Sequence, residues 1–111
     1  METMFVEHGY LGEFEHLVLL AVIRLGDDAY GVPIRRLIAE RARRDVSFGA
    51  VYSTLRRLHV KGYLEFREEP AAGEVGGRPR RIAELTEAGE MAVRAAQQRL
   101  QRMSEGILEE S

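Results

Sequence analysis

The segment Gly12 to Leu25, GEFEHLVLLAVIRL, restricts this chain more than any other. Phe14, Leu17, Val18, Ala21 and Leu25 recur at the three- and four-residue steps of one helix face. Leu19, Leu20, Val22 and Ile23 fill the other side, and a helix apolar on nearly all faces is buried on nearly all faces. A chain of 111 residues makes one domain with a modest core. The pattern therefore predicts that Leu17 and Leu20 take part of their cover from a second subunit. The apolar run inside this helix, Leu17 to Ile23, is seven residues long, far short of the roughly 20 that span a bilayer. The absence of cysteine excludes disulfides and thiolate metal sites and fits a reducing compartment. METMFVEHGY has two acids and no Lys or Arg, unlike the basic start of a secretory signal. The expectation is a cytoplasmic protein with no membrane association.

Gly26, Asp27 and Asp28 break this helix, and a second is predicted from about Val32 to Ala42, with Pro33 in its first turn and Ile34, Leu37 and Ile38 facing inward. Asp45 and Ser47 can each cap the next helix, and Gly62 ends it in the left-handed conformation that glycine adopts freely. In SFGAVYSTLRRLHVKG, a step of about 100° per residue puts Phe48, Val51, Leu55 and Leu58 on the core side. Gly49, Ala50, Ser53, Arg56, Arg57, Val60 and Lys61 lie round the other. Tyr63 to Arg67 then alternates like a half-buried strand with Leu64 and Phe66 inward, and Arg80 to Leu85 returns as a second strand after the breaker-rich EEPAAGEVGGRP. Thr86 precedes a last helix in which Val93, Ala96, Leu100, Met103 and Ile107 form a two-heptad seam suited to a helix dimer.

The order helix, helix, helix, strand, glycine-rich loop, strand, helix is the helix-turn-helix plan with a two-stranded wing. The expected fold class is α+β, mainly helical, with residues 1–85 as the winged helix-turn-helix and 86–111 as a C-terminal dimerisation helix in the same unit. Net charge is −2, but residues 35–81 hold 12 basic and 6 acidic side chains while the flanks hold 4 and 12. The basic stretch coincides with the third helix and the wing, and 15 of the 16 basic residues are arginine, suited to bidentate grips on phosphate and guanine. A helix entering the major groove, roughly 12 Å wide, needs small residues in its first turn. Gly49, Ala50 and Ser53 provide them after the Ser47 cap, with Arg56, Arg57 and Lys61 beyond and Arg78, Arg80 and Arg81 on the wing. Arg81 has a second partner open to it in Glu84 or Glu65, and Arg43 and Arg44 read as plain surface charges. His8, His16 and His59 form no metal constellation, Gly73 to Arg78 lacks the Lys-Ser/Thr of a phosphate loop, and no nucleophile, base and orienting group assemble. Neither an enzyme nor a cofactor is expected.

Three blocks in order, LGEFEHLVLLAVIRLGDDAYG, GAVYSTLRRLHVKGYLEFR and GGRPRRIAELTEAG, resemble the PadR family of winged helix-turn-helix transcriptional regulators over almost the whole chain. The resemblance implies a bacterial homodimer that represses promoters by binding an inverted repeat in double-stranded DNA, and usually releases it when a small effector binds. The single last helix is similar to that of the short subtype, which dimerises through it and the first helix. The resemblance puts the family's recognition-helix tyrosine at Tyr52, its basic pair at Arg56 and Arg57 and its wing tip at Gly76 to Arg80, and makes Tyr30 a phosphate contact. For Tyr52 the residues leave two roles open, a backbone contact or core packing. The chain departs from the family at Ile82 and Ala83, where aromatic residues are common, and in having no tryptophan near Leu100 to stack on a flat ligand. The rival reading is a winged-helix module that binds protein rather than DNA.

Overall fold

In the computed structural model, which describes residues 10–70 and 79–108, helix α1 spans Glu13–Leu25 and starts where the Gly12 amide donates to the Glu15 carboxylate at 2.8 Å. A short 3-10 turn, Gly26–Asp28, leads to α2 (Gly31–Arg41) and α3 (Phe48–Val60). Ser47, not Asp45, caps α3, its hydroxyl oxygen accepting from the Ala50 amide at 3.0 Å. Gly62 ends the turn after α3 at φ +85°, a conformation that would strain any residue with a Cβ.

Helix α1 is the centre of the core. Val18 and Leu19 have no solvent exposure, and Ala21 and Val22 very little. They pack with Ile34 and Ile38 of α2, Val51, Leu55 and Leu58 of α3, and Ala92 and Val93 from the last helix. Each fully buried Leu, Ile or Val contributes about 1.5–3 kcal/mol. Within one chain the apolar cover of α1 is incomplete: Leu17 and Leu20 are half-buried and Ile23 is exposed.

The wing is an antiparallel pair, β1 (Leu64–Glu69) and β2 (Arg80–Leu85), in register from Leu64 opposite Leu85 to Glu69 opposite Arg80. The first strand begins one residue later and runs two further than its alternation suggests. Tyr63 belongs instead to the corner, where its amide donates to Leu58 O and its carbonyl accepts from the Thr86 amide. The other edge of β2 is tied at Ala83, whose amide donates to the Ala29 carbonyl at 2.8 Å.

Helix α4, Glu87–Ser104, is capped by Thr86, whose oxygen accepts from the Gly89 amide while its hydroxyl donates to the Gly62 carbonyl at 2.7 Å. The seam read from the sequence divides here. Val93 and Ala96 are buried inside this chain, whereas Leu100 and Met103 are exposed, at 62% and 78%. Ile107 lies past the end of the helix: Glu105 is extended and Gly106 has φ +84°. The heptad pattern cannot tell a neighbour in the same chain from one in another, because both sit against the same apolar stripe.

Candidate nucleic-acid interface

The outer face of α3 is built from its first turn upward. Gly49 is exposed, and nothing but the Ser47 hydroxyl, at 3.8 Å, lies near the place its Cβ would take. Ala50 is half-buried, and Ser53 is exposed with its hydroxyl donating to the Ala50 carbonyl at 3.4 Å. Backbone here is open to an approaching surface.

Phe48 is a correction. The periodicity puts it in the core, yet it is 40% exposed. It is the first residue of the helix, beyond the reach of α1, and the Arg35 guanidinium lies 4.5 Å above its ring. Arg35 is fixed there by donating from Nε to the Val46 carbonyl at 2.7 Å. The Phe48 ring in turn stacks on Tyr52, with centroids 6.3 Å apart. Tyr52 is about half exposed and lays its phenol across Gly31, so closely that a Cβ on Gly31 would overlap the hydroxyl and sit 2.6 Å from Cζ. Glycine at the start of α2 leaves the space that this ring occupies. Tyr52 therefore packs on the second helix, not into the core.

The cations divide into two sets. Arg56 is exposed and has no hydrogen bond or ion pair among the described residues. Arg80 lies over the Tyr30 ring at 4.9 Å and Arg81 over the Phe66 ring at 4.9 Å. Among the described residues neither Glu84 nor Glu65 takes Arg81; Glu84 is instead held by Arg67 at 2.7 Å. Arg56 and Arg81 line a hollow of about 380 Å³ together with Gly31, Tyr52, His59 and Phe66. His59 is oriented by its Nδ1, 3.0 Å from the Leu64 carbonyl. Arg78 and the glycines Gly76 and Gly77 of the wing tip lie outside the described residues.

Arg57 and Lys61 form the second set: their side chains remain 53% and 31% exposed, but both reach one buried acid. Arg57 Nε donates to Glu15 Oε2 at 3.0 Å and its Nη2 to Thr54 Oγ1 at 3.2 Å. Lys61 Nζ donates to both Glu15 oxygens at 2.9 Å. Glu15 is only 6% exposed. Burial by itself would raise its pKa, but the Gly12 amide, the Lys61 and Arg57 hydrogen bonds and the Lys61 charge together hold it below the ordinary carboxylate value. Sequence reasoning passed over Glu15 entirely. The available signal was an acid inside the most apolar segment of the chain, facing two cations spaced i, i+4 on another helix. Arg44 likewise is not a bare surface charge: it reaches Glu13 at 3.3 Å and covers the Phe14 ring.

Of the residues expected to dimerise, Leu17 and Leu20 lie beside Leu37 in a shallow groove between α1 and α2, Leu100 and Met103 are exposed on the far end of α4, and Ile107 is exposed beyond it. Between α1 and α4 a cleft of about 260 Å³ is lined by Leu11, Glu13, His16, Ala96, Arg99 and Leu100. His16 Nε2 is sealed there with no hydrogen-bond partner. Burial first, and the nearby Arg99 charge second, lower its pKa from the usual histidine value. No group of three His, Cys, Asp or Glu among the described residues could hold a metal ion, and no described helix is long and apolar enough to cross a membrane.

The sequence profile of the transcriptional regulator PadR-like family matches residues 19–95. Among curated proteins none matches the chain in sequence. Solved structures do. A PadR-like transcription factor from Bacteroides fragilis is 24% identical, with 95% of this chain and 93% of that one covered at a TM-score of 0.68. A PadR family transcription regulator from Clostridium difficile R20291 is 20% identical over 88% of this chain and 100% of the other, with a TM-score of 0.70. A complex structure of hsRosR-S1 is 26% identical over 84% and 75% of the two chains, with a TM-score of 0.61. Mainly helical architecture with a two-stranded antiparallel sheet is common ground with these PadR-like winged-helix structures.

Proposed function

Because this chain belongs to the PadR-like family of transcriptional regulators, we propose that it is a homodimer that binds an inverted repeat in double-stranded DNA, represses transcription in the cytoplasm and lets go when a small effector binds. One observation carries this reading: Arg56, Arg80 and Arg81 have no carboxylate partner among the described residues, and Arg56 and Arg81 line one hollow with Tyr52 of α3. Unneutralised arginines gathered on one face of an acidic chain are an electrostatic footprint for phosphate.

In this reading α3 enters the major groove. Ser47, Gly49, Ala50 and Ser53 let the backbone approach, and Arg56 reaches base edges or phosphates. Tyr30 and Tyr52 offer hydroxyls to the backbone, while Arg78, Arg80 and Arg81 carry the wing to the adjacent minor groove. Arg57 and Lys61, held on Glu15, serve this surface from behind. The exposed Leu100 and Met103, with Ile107, Leu17 and Leu20, supply the apolar contact with a second copy, and Val93 and Ala96 stand behind them. A two-fold dimer so formed presents its reading helices about 34 Å apart, one helical turn of DNA. The cleft between α1 and α4 is where that dimer would enclose an effector.

The test is selection of bound fragments from random DNA by the full chain. Enrichment of an inverted repeat with half-sites about one turn apart, bound less tightly as salt rises, is expected. Binding with no enriched sequence and no salt dependence would refute it.

A further inference from the structure

We propose that Glu15 is a positioning residue for DNA recognition: its buried carboxylate sets the rotation of α3 on α1 by holding Arg57 and Lys61, and so removes both cations from the phosphate contacts. The inference rests on α3 being the reading helix.

The rest of the α1 to α3 contact is apolar, through residues such as Val18, Leu19, Val51, Leu55 and Leu58. Apolar burial is non-directional and leaves the rotation of one helix on another loosely set. Hydrogen bonds have fixed lengths and directions. Glu15 accepts four of them, one from Gly12, one from Arg57 and two from Lys61. Arg57 lies in the last turn of α3 and Lys61 is its C-cap, one turn on, so bonds to a single acid fix both the height and the facing of the helix. Arg57 is further locked by Thr54, which is 2% exposed.

Charge leads to the same conclusion. A DNA phosphate that recruited Arg57 or Lys61 would strip partners from a carboxylate that water cannot easily reach, and an unpaired buried charge is strongly unfavourable. Arg56, adjacent in sequence but free, has no such tie. Two neighbouring arginines on one helix therefore do different work.

The experiment uses the full chain and a DNA fragment selected by the wild type, with a scrambled fragment as control, followed by fluorescence anisotropy from 50 to 200 mM salt. Each phosphate contact contributes about 0.9 to the slope of log affinity against log salt. Arg56→Ala is expected to lower that slope by about 1. Arg57→Ala and Lys61→Ala should leave it unchanged while the ratio of selected to scrambled binding falls about tenfold or more. Glu15→Gln, nearly isosteric, should lower the same ratio without weakening binding to scrambled DNA, since it frees two cations. Arg57→Lys keeps the charge but not the paired bonds to Glu15 and Thr54, and should behave like Arg57→Ala. Circular dichroism at the assay temperature selects the folded variants. A slope reduced by about 1 in Arg57→Ala or Lys61→Ala, with the ratio intact and Arg57→Lys restoring the slope, overturns the proposal. A wild type that shows no salt-dependent binding overturns instead the reading of α3 on which it rests.

Discussion

Gly89→Ala tests how tightly α4 is seated on the root of the wing. Gly89 is the third residue of α4, and a Cβ there would overlap the Tyr63 carbonyl oxygen and lie 2.9 Å from Leu85 Cδ1 and 3.1 Å from Tyr63 C. Two of those three atoms are backbone, so no side-chain rotation relieves the clash. The first turn of α4 has to retreat, and the bonds it carries stretch with it: Thr86 amide to Tyr63 carbonyl at 3.1 Å and Thr86 hydroxyl to Gly62 carbonyl at 2.7 Å. Overpacking costs about 1–3 kcal/mol, and each hydrogen bond lost about 1 kcal/mol more. Against this, alanine is favoured over glycine within a helix by about 1 kcal/mol. The balance is a loss of about 2 kcal/mol, or a fall in Tm of roughly 8 °C for a domain of this size. Urea and thermal unfolding at fixed protein concentration would measure it, with Gly49→Ala as the comparison. At Gly49 the new methyl meets only Ser47 Oγ at 3.8 Å, and stability should rise by up to about 1 kcal/mol. If Gly89→Ala were as stable as Gly49→Ala, the close seating of α4 on Tyr63 would be refuted.

The methyl of Gly31→Ala collides only with the Tyr52 side chain, which can swing into solvent; stability should change by less than about 1 kcal/mol. DNA affinity should fall to that of Tyr52→Ala, with the double variant no weaker, and additive losses in the binding titration would break the link. Lowered by burial and by Arg99, His16 stays neutral in the folded chain at pH values where the unfolded chain protonates. Unfolding then takes up a proton, so stability should fall as pH drops from about 6.5 towards the lower folded value and level off beneath it; Tm against pH should show less of this decline in His16→Gln. Glu15, also lowered, gives the same sign in a more acidic window: its contribution is complete above about pH 4.5 and fades as pH falls through its lowered folded pKa, a loss absent from Glu15→Gln. Leu100→Asp places a charge on an exposed apolar position; it should stay folded but raise the dimer dissociation constant about a hundredfold or more, counting about 1.5 kcal/mol for each of two copies. Sedimentation showing an unchanged dimer would exclude that face.

Much of the fold was legible in short windows of sequence. Ser47 and Gly62 marked the ends of α3 because the cap and the left-handed turn are local events. Val51, Leu55 and Leu58 were placed inward because helical spacing alone aligns them. Phe48 obeyed the same spacing and was misplaced. Spacing gives direction round the axis, not how far along it the neighbouring helix extends, and at the first residue of α3 the neighbour is Arg35. Alternation predicts a strand from Tyr63 and the heptad step a helix to Ile107, but β1 begins one residue after Tyr63 and α4 ends three before Ile107, because both patterns continue across a turn that only backbone geometry reveals.

Residues close together along the chain settle which elements form, their order, and the concentration of positive charge on α3 and the wing. What those charges do depends on contacts between distant segments. Glu15 is 42 residues from Arg57 and 46 from Lys61, and no local pattern connects them. Folding α1 against α3 brings a carboxylate largely closed to water to two cations that remain partly exposed, and burial of the acid strengthens its bonds to them. Arg56, one residue from Arg57, turns outward and stays free. The physical reason is the helix itself: a step of about 100° sends adjacent side chains to different surroundings, and what those surroundings contain is fixed only when the chain has closed on itself.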